Sequence, residues 1–221
     1  MKLFLHMPKC GGTSVLRALE AASTVEVIKD YNSFFKIPRP ERTATLKRSV
    51  DNPATMPGSS VIYGHFFPVK YLGNRPLDDF TLVTILRDPI SRLLSHYNFW
   101  RSGEFPDHYL WNKMMVNKWD FFDFAFCEEM RNFYAQHFHG VGLSAFSYIG
   151  TFENLEESFR SCCRELGVDA DHVSLGHDNR AMREDDPCLP QATLQKLRAF
   201  HSLDYAFYNY ATKKFPQKAA A

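Results

Sequence analysis

The chain opens on a short apolar run, Leu3-Phe4-Leu5, breaks at a glycine-bearing polar segment over residues 7–14, and resumes in a helix-like stretch over residues 15–22. That order predicts strand, loop and helix. Val61-Ile62-Tyr63-Gly64 predicts a second strand. Residues 80–86, Phe-Thr-Leu-Val-Thr-Ile-Leu, predict a third, with the β-branched character of strands buried in parallel sheets. Asp88 fits an N-cap with Pro89 at the first helical position, and Leu93, Leu94 and Tyr97 mark the apolar side of a helix over residues 90–101. A fourth strand is predicted over residues 146–152. Asn154 and Glu157 then have the spacing of a capping box, and Leu155, Phe159, Cys162 and Leu166 form one helical stripe ending near Gly167. Pro190 opens a last helix carrying Leu194, Leu197 and Phe200.

Residues 29–60, rich in Pro, Ser, Thr and basic side chains, read as loop plus a short helix. Residues 104–140, studded with Trp and Phe, read as helical in pieces. Strands alternating with helices predict an open α/β sheet in a single domain over residues 1–216, with 217–221 as a tail. In such folds ligands bind beyond the carboxyl ends of the strands, where Lys9, His65 and Arg87 would all lie.

Composition narrows the partners. With 221 residues, 45% hydrophobic and 23% charged, the chain has the make-up of a globular protein with one sizeable core. Its 26 basic and 25 acidic residues leave a net charge of +1, so nothing global favours nucleic acid or an anionic membrane, and any anion site must be local. No run approaches the roughly 20 apolar residues of a membrane span, and the first apolar run ends at His6 and Lys9 without a small-residue cleavage site. The five cysteines, Cys10, Cys127, Cys162, Cys163 and Cys188, are odd in number and lack zinc or redox spacing. Reduced thiols in the cytoplasm are the expectation.

The segment Met7-Pro8-Lys9-Cys10-Gly11-Gly12-Thr13-Ser14 has the chemistry of an anion cradle. Two glycines let backbone N–H groups turn toward one point, the following helix adds orphan donors and the positive end of its dipole, and Lys9, Thr13 and Ser14 add a charge and two hydroxyls. The guest is a phosphate or a sulfate. In the nucleotide triphosphatase loop, GxxxxGK[ST], the lysine follows the glycines. Here it precedes them. Arg87, closing a strand, with Ser91 and Ser95 one turn apart on the next helix, supplies a second anion site made of a guanidinium fork and a hydroxyl. Taken alone, Arg87-Asp88-Pro89 also fits a structural ion pair with a cap, and Ser95 a half-buried helix serine.

Together these residues carry a resemblance. The run from His6 to Ser14 resembles the 5′-phosphosulfate loop of the sulfotransferases. Leu86-Arg87-Asp88-Pro89-Ile90-Ser91-Arg92-Leu93-Leu94-Ser95-His96-Tyr97 resembles their 3′-phosphate segment. Tyr63-Gly64-His65, Phe152-Glu153-Asn154-Leu155 and Asp204-Tyr205 resemble the branch that includes the carbohydrate 2-O-sulfotransferases, so the similarity runs over nearly the whole chain. The resemblance implies a P-loop-like, mainly parallel sheet and 3′-phosphoadenosine 5′-phosphosulfate as donor. It implies that Lys9 touches the bridging oxygen, that Cys10, Gly11, Gly12, Thr13 and Ser14 hold the 5′ end, and that Arg87 and Ser95 hold the 3′-phosphate. Where the family has a small polar residue this chain has Cys10, so at that position the backbone must suffice.

Sulfuryl transfer needs the acceptor hydroxyl deprotonated, the leaving phosphate oxygen stabilised and the groups held in line. Lys9 suits the second task. His65 suits the first, since imidazole is neutral near pH 7 and the resemblance puts a base there; the competing reading is a hydrogen-bonded strand-end histidine. No metal is required by this scheme. The expected partner is a hydroxyl-bearing small molecule or glycan, with lipids and tyrosine also open. The alternatives are a nucleotide-dependent phosphotransferase, which would need magnesium and an acidic ligand, and a non-catalytic nucleotide-binding protein. His137 and His139 have the spacing of metal ligands on a strand but lack a third partner. Asn132 with Gln136 fits contact with an acceptor or exposed amides, Asn179-Arg180 contact with the nucleotide or a solvated loop, and the basic residues from Lys36 to Arg48 a solvated face or a landing site for an anionic acceptor.

Overall fold

Five parallel strands in the order β2-β3-β1-β4-β5 form the sheet: β1 (Lys2–Leu5), β2 (Val27–Asp30), β3 (Val61–Gly64), β4 (Thr81–Leu86) and β5 (Tyr148–Thr151). The computed structural model describes residues 1–22, 25–31, 60–72, 76–170, 172–175 and 189–215, with the single positions 41, 44 and 47. The predicted open α/β sheet in one domain is the observed architecture.

Around the sheet run α1 (Gly12–Ala21), α2 (Val69–Leu72), α3 (Pro89–Arg101), α4 (Tyr109–Val116), α5 (Phe121–Ala125), α6 (Phe133–His137), α7 (Leu155–Leu166), α8 (Gln191–Phe200) and α9 (Ser202–Lys214). Strand alternation divides the core into two layers. Leu3 and Leu5 of β1, with Ile62, Leu82 and Leu86, pack under α3 to α6 and the last helices, whereas Phe4, Tyr63, Val83 and Ile85 face α1 and α7. Both faces are covered, which is why β1, β3 and β4 read as continuous apolar runs rather than alternating ones.

Local signals explain some of the boundaries. The Asp88 side chain accepts a hydrogen bond from the Ser91 amide with Pro89 at the helix start, and Gly167, in the left-handed region, closes α7. Three expectations are corrected. Residues 27–30, partly assigned to a loop, form an edge strand paired in parallel with β3; with Lys29 exposed and Asp30 polar, only Val27 and Ile28 carry an apolar signal, too short a run to mark a strand. Asn154 makes no side-chain cap, so the expected capping box is absent; a capping box occurs instead between Asp120 and Asp123 at the start of α5. His137 lies on α6 rather than on a strand, buried, with Nδ1 2.9 Å from the carbonyl of Phe133. Helix α9, which begins without a side-chain cap, follows α8 almost directly and extends the last helix expected from sequence. Residues Lys36, Arg39, Arg42, Arg48, Asn179, Arg180 and Cys188 and the tail over 217–221 lie outside the described residues.

Candidate active site

Parallel register places the candidate residues on one edge. Leu5 pairs with Gly64 on one side and Thr84 on the other, so β1 and β3 end level while β4 runs two residues further to Leu86, and His6, His65 and Arg87 are the residues that follow the three strands at that edge. Sequence spacing alone could name these side chains; the sheet brings them together.

The loop after β1 is shaped by two left-handed residues, Lys9 at φ 68° and Gly11 at φ 80°. For glycine this conformation carries no Cβ penalty, while for lysine it is uncommon and marks a turn that the surroundings enforce. Gly11 serves as the N-cap of α1 without any side-chain cap, so the amides of the first turn, at Gly12, Thr13 and Ser14, lie where helix geometry leaves donors without intrahelical partners. Thr13 is exposed and Ser14 half-buried in that first turn. Cys10 points the other way. Its thiol is buried, 3.7 Å from the Pro8 carbonyl and 3.8 Å from the Tyr134 hydroxyl, and burial pushes its pKa up to about 12, so it stays protonated and inert. Only the backbone of Cys10 faces the loop's task.

Lys9 and Arg87 meet at this edge. The Arg87 guanidinium lies 4.3 Å from the centre of the Phe152 ring, and its Nη1 donates to the Lys9 carbonyl at 3.5 Å. The Lys9 ammonium sits 3.8 Å from the centre of the Phe99 ring on α3, one turn beyond Ser95. Ser95 is half-buried on that helix. The Arg87 backbone is clamped by Tyr134, whose buried hydroxyl donates to the Arg87 carbonyl at 2.6 Å and accepts from its amide at 3.1 Å. Arg87 and Asp88 do not form the ion pair considered from sequence. Asp88 instead caps α3, accepts from the Tyr205 hydroxyl at 3.1 Å, and its amide donates to Glu153 at 2.9 Å.

His65 has the geometry of a base. Its Nδ1 lies 2.6 Å from the carbonyl of His6. A carbonyl only accepts, so Nδ1 carries the proton and Nε2 is left with its lone pair. Burial lowers its pKa to about 4 against a smaller upward pull from that hydrogen bond, so the ring is neutral at pH 7.

Behind the edge lies a buried polar group. Arg92 is wholly buried, with Nη1 3.2 Å from Nδ1 of His96 and its planar head 4.1 Å from the centre of the Phe133 ring. Asp204, also buried, accepts the Tyr134 amide at 2.8 Å and the Ala135 amide at 3.3 Å, and so holds the first turn of α6. Burial raises its pKa to about 7 in spite of the Arg92 charge. Asn132 and Gln136 turn inward to structural duties: Asn132 accepts the Leu203 amide at 3.1 Å, and Gln136 donates to the carbonyls of Glu129 and Arg131. Among the described residues no group of three or more His, Cys, Asp or Glu side chains converges as a metal site, and no helix is long and apolar enough to cross a membrane.

An open, all-parallel sheet flanked by helices, with a lysine-bearing glycine loop after β1 and an arginine just past β4, defines a class of α/β protein. Residues 3–211 match the sulfotransferase family, and the chain belongs to it. Among solved structures it is similar to a sulfotransferase from Alicyclobacillus acidocaldarius, at 17% identity over 99% of this chain and 96% of that one, with a TM-score of 0.52. It also aligns with mouse sulfotransferase SULT7A1 complexed with PAP, at 12% identity over 100% of this chain and 67% of that one, with a TM-score of 0.38. No curated protein sequence matches it significantly.

Proposed function

We propose that the protein transfers a sulfuryl group from 3′-phosphoadenosine 5′-phosphosulfate to an acceptor hydroxyl, with His65 as general base and Lys9 stabilising the leaving phosphate. The single observation that carries this reading is the 2.6 Å contact from His65 Nδ1 to the His6 carbonyl, because it leaves Nε2 unprotonated at the sheet edge that also bears Lys9. The donor set fits a nucleotide with an anionic group at each end: first-turn amides of α1 with Thr13 and Ser14 for one, Arg87 and Ser95 for the other. When bound, the nucleotide supplies an activated sulfuryl group on a phosphate leaving oxygen. His65 takes the acceptor proton on Nε2 and holds it through its carbonyl-anchored ring. Lys9 places a full charge against the negative charge that grows on the leaving oxygen. Cys10, Gly11 and Gly12 contribute backbone only. With positive groups and oriented amides in place, the scheme needs no metal ion.

The domain is proposed to span residues 1–216. The acceptor is proposed to be a sugar or small-alcohol hydroxyl, a reading supported by the Tyr63-Gly64-His65 segment and its likeness to the carbohydrate 2-O-sulfotransferases. The described cysteines, Cys10, Cys127, Cys162 and Cys163, are free thiols, which supports a reducing compartment, the cytoplasm. The family assignment favours sulfuryl over phosphoryl transfer, and the remaining alternative is a protein that binds the nucleotide without turning it over.

The test uses labelled donor against a panel of sugar and alcohol acceptors, with products identified by mass. His65→Ala should abolish transfer while binding of 3′-phosphoadenosine 5′-phosphate, followed by calorimetry, stays within a few-fold of the parent protein, on the order expected for a group that acts only in the transition state. Undiminished turnover in that variant would remove His65 from the mechanism.

A further inference from the structure

His6 sits at the first residue past β1, between the candidate base and the candidate phosphosulfate loop, and it touches both. Its ring is 4.3 Å from that of His65 at 33°, and 5.3 Å from that of Tyr63 at 24°, in a stack. Tyr31 meets His65 edge-on, at 5.0 Å and 83°. On its other flank, the His6 imidazole fills the space that a side chain at position 12 would need: a Cβ built on Gly12 would collide with Nε2, Cε1 and Cδ2 of that ring. The Tyr63 hydroxyl ties the same point down by donating to the Gly12 carbonyl at 2.7 Å. Gly12 has a helical backbone, so its glycine is explained by this close approach rather than by conformation.

We propose that His6 is the positioning residue of this site, its carbonyl setting the tautomer of His65 and its ring locking the orientation of His65 to the position of the Gly12 amide. The proposal rests on the reading of His65 as base and of residues 9–14 as the donor loop. Its physical content is that base and loop form one packed unit. The unit is held by a 2.6 Å hydrogen bond on the β1–β3 side and by the close, tilted packing of the two imidazoles, so neither can shift without the other. The nitrogens of His6 are not the working part. Its Nδ1 is buried without a hydrogen-bond partner, and burial with the nearby His65 and Lys9 holds its pKa well below the ordinary value, so His6 stays neutral and presents a flat uncharged face.

Three variants test this. His6→Ala removes the ring and keeps the carbonyl, so transfer should fall by roughly 10- to 100-fold in kcat with acceptor KM little changed, the scale of an ångström-size misplacement. His6→Phe keeps the flat face without nitrogens and should restore kcat to within about threefold of the parent protein. Gly12→Ala should weaken calorimetric binding of 3′-phosphoadenosine 5′-phosphate strongly in the parent and much less in the His6→Ala background, because the ring it collides with is gone. Nitrogen chemical shifts of His65 should report the Nδ1–H tautomer in every variant, and thermal unfolding checks that each folds. Failure of His6→Phe to recover, or additive losses at positions 6 and 12, would overturn the proposal. The base reading fails separately: full turnover of His65→Ala sinks it, while the coupling between positions 6 and 12 is read in binding alone.

Discussion

Asp204 offers the sharpest measurement of how the interior supports this site. The carboxyl is wholly buried, its Oδ1 accepts two amides of α6, and its Oδ2 has no hydrogen-bond partner among the described residues. Burial outweighs the attraction of Arg92 and lifts its pKa from 3.8 to about 7. At about 1.4 kcal/mol per pKa unit, ionising this group inside the fold costs about 4 kcal/mol relative to the unfolded chain. The sign follows from the raised folded value: Asp204 costs nothing below the unfolded pKa, and stability is lost as the pH climbs from there through the folded pKa. Asp204→Asn keeps an oxygen for the Tyr134 and Ala135 amides and cannot ionise. Urea unfolding at a series of pH values should therefore find the two proteins diverging by about 4 kcal/mol between pH 4 and pH 8, in favour of the variant as pH rises, with most of the change complete near pH 7. Parallel stability curves would refute the reasoning and mean that the Arg92 charge keeps Asp204 ionised throughout.

Two further outcomes follow from the site itself. Tyr134→Phe deletes the hydroxyl that both donates to and accepts from the Arg87 backbone, and should cost about 1–3 kcal/mol by thermal unfolding while loosening nucleotide binding at the β4 end; unchanged stability would show that water satisfies Arg87 equally well. With His65 neutral above about 4, the acid limb of kcat/KM should fall near that pH and the profile should be level through pH 6, whereas a limb at the ordinary histidine value would place the base in a more solvated setting.

Much of this protein was legible in its residue order. Strands β1, β3 and β4 are buried on both faces and so announce themselves as runs rich in apolar and β-branched residues, and Asp88-Pro89 writes the start of α3 in local chemistry. The glycine loop with its preceding lysine, the closing arginine at position 87 and the histidine at position 65 are likewise readable, because short-range backbone demands and side-chain chemistry are properties of neighbouring residues. Strand β2 was not legible, since an edge strand needs little apolar surface and gains its identity from pairing with β3. The Asn154 cap failed because spacing permits a capping box but does not require one: the chain enters α7 through a 3-10 turn over Phe152–Asn154 in which the Asn154 side chain caps nothing.

The tertiary structure alone decided which way each side chain faces and what holds it. Cys10 sits in the loop yet turns its thiol into the core against Tyr134, 124 positions away in sequence, and Asp204 reaches Tyr134 across 70. Asn132 and Gln136, spaced as if to greet a ligand, spend their amides on backbone. His6 belonged to a recognisable segment but acquired its place against His65 and Gly12 only through the alignment of β1 with β3. Residue order specifies chemistry and local turns because these depend on adjacent atoms; orientation, burial and the tautomer of His65 depend on contacts between strands far apart in the chain, and those exist only once the sheet has formed.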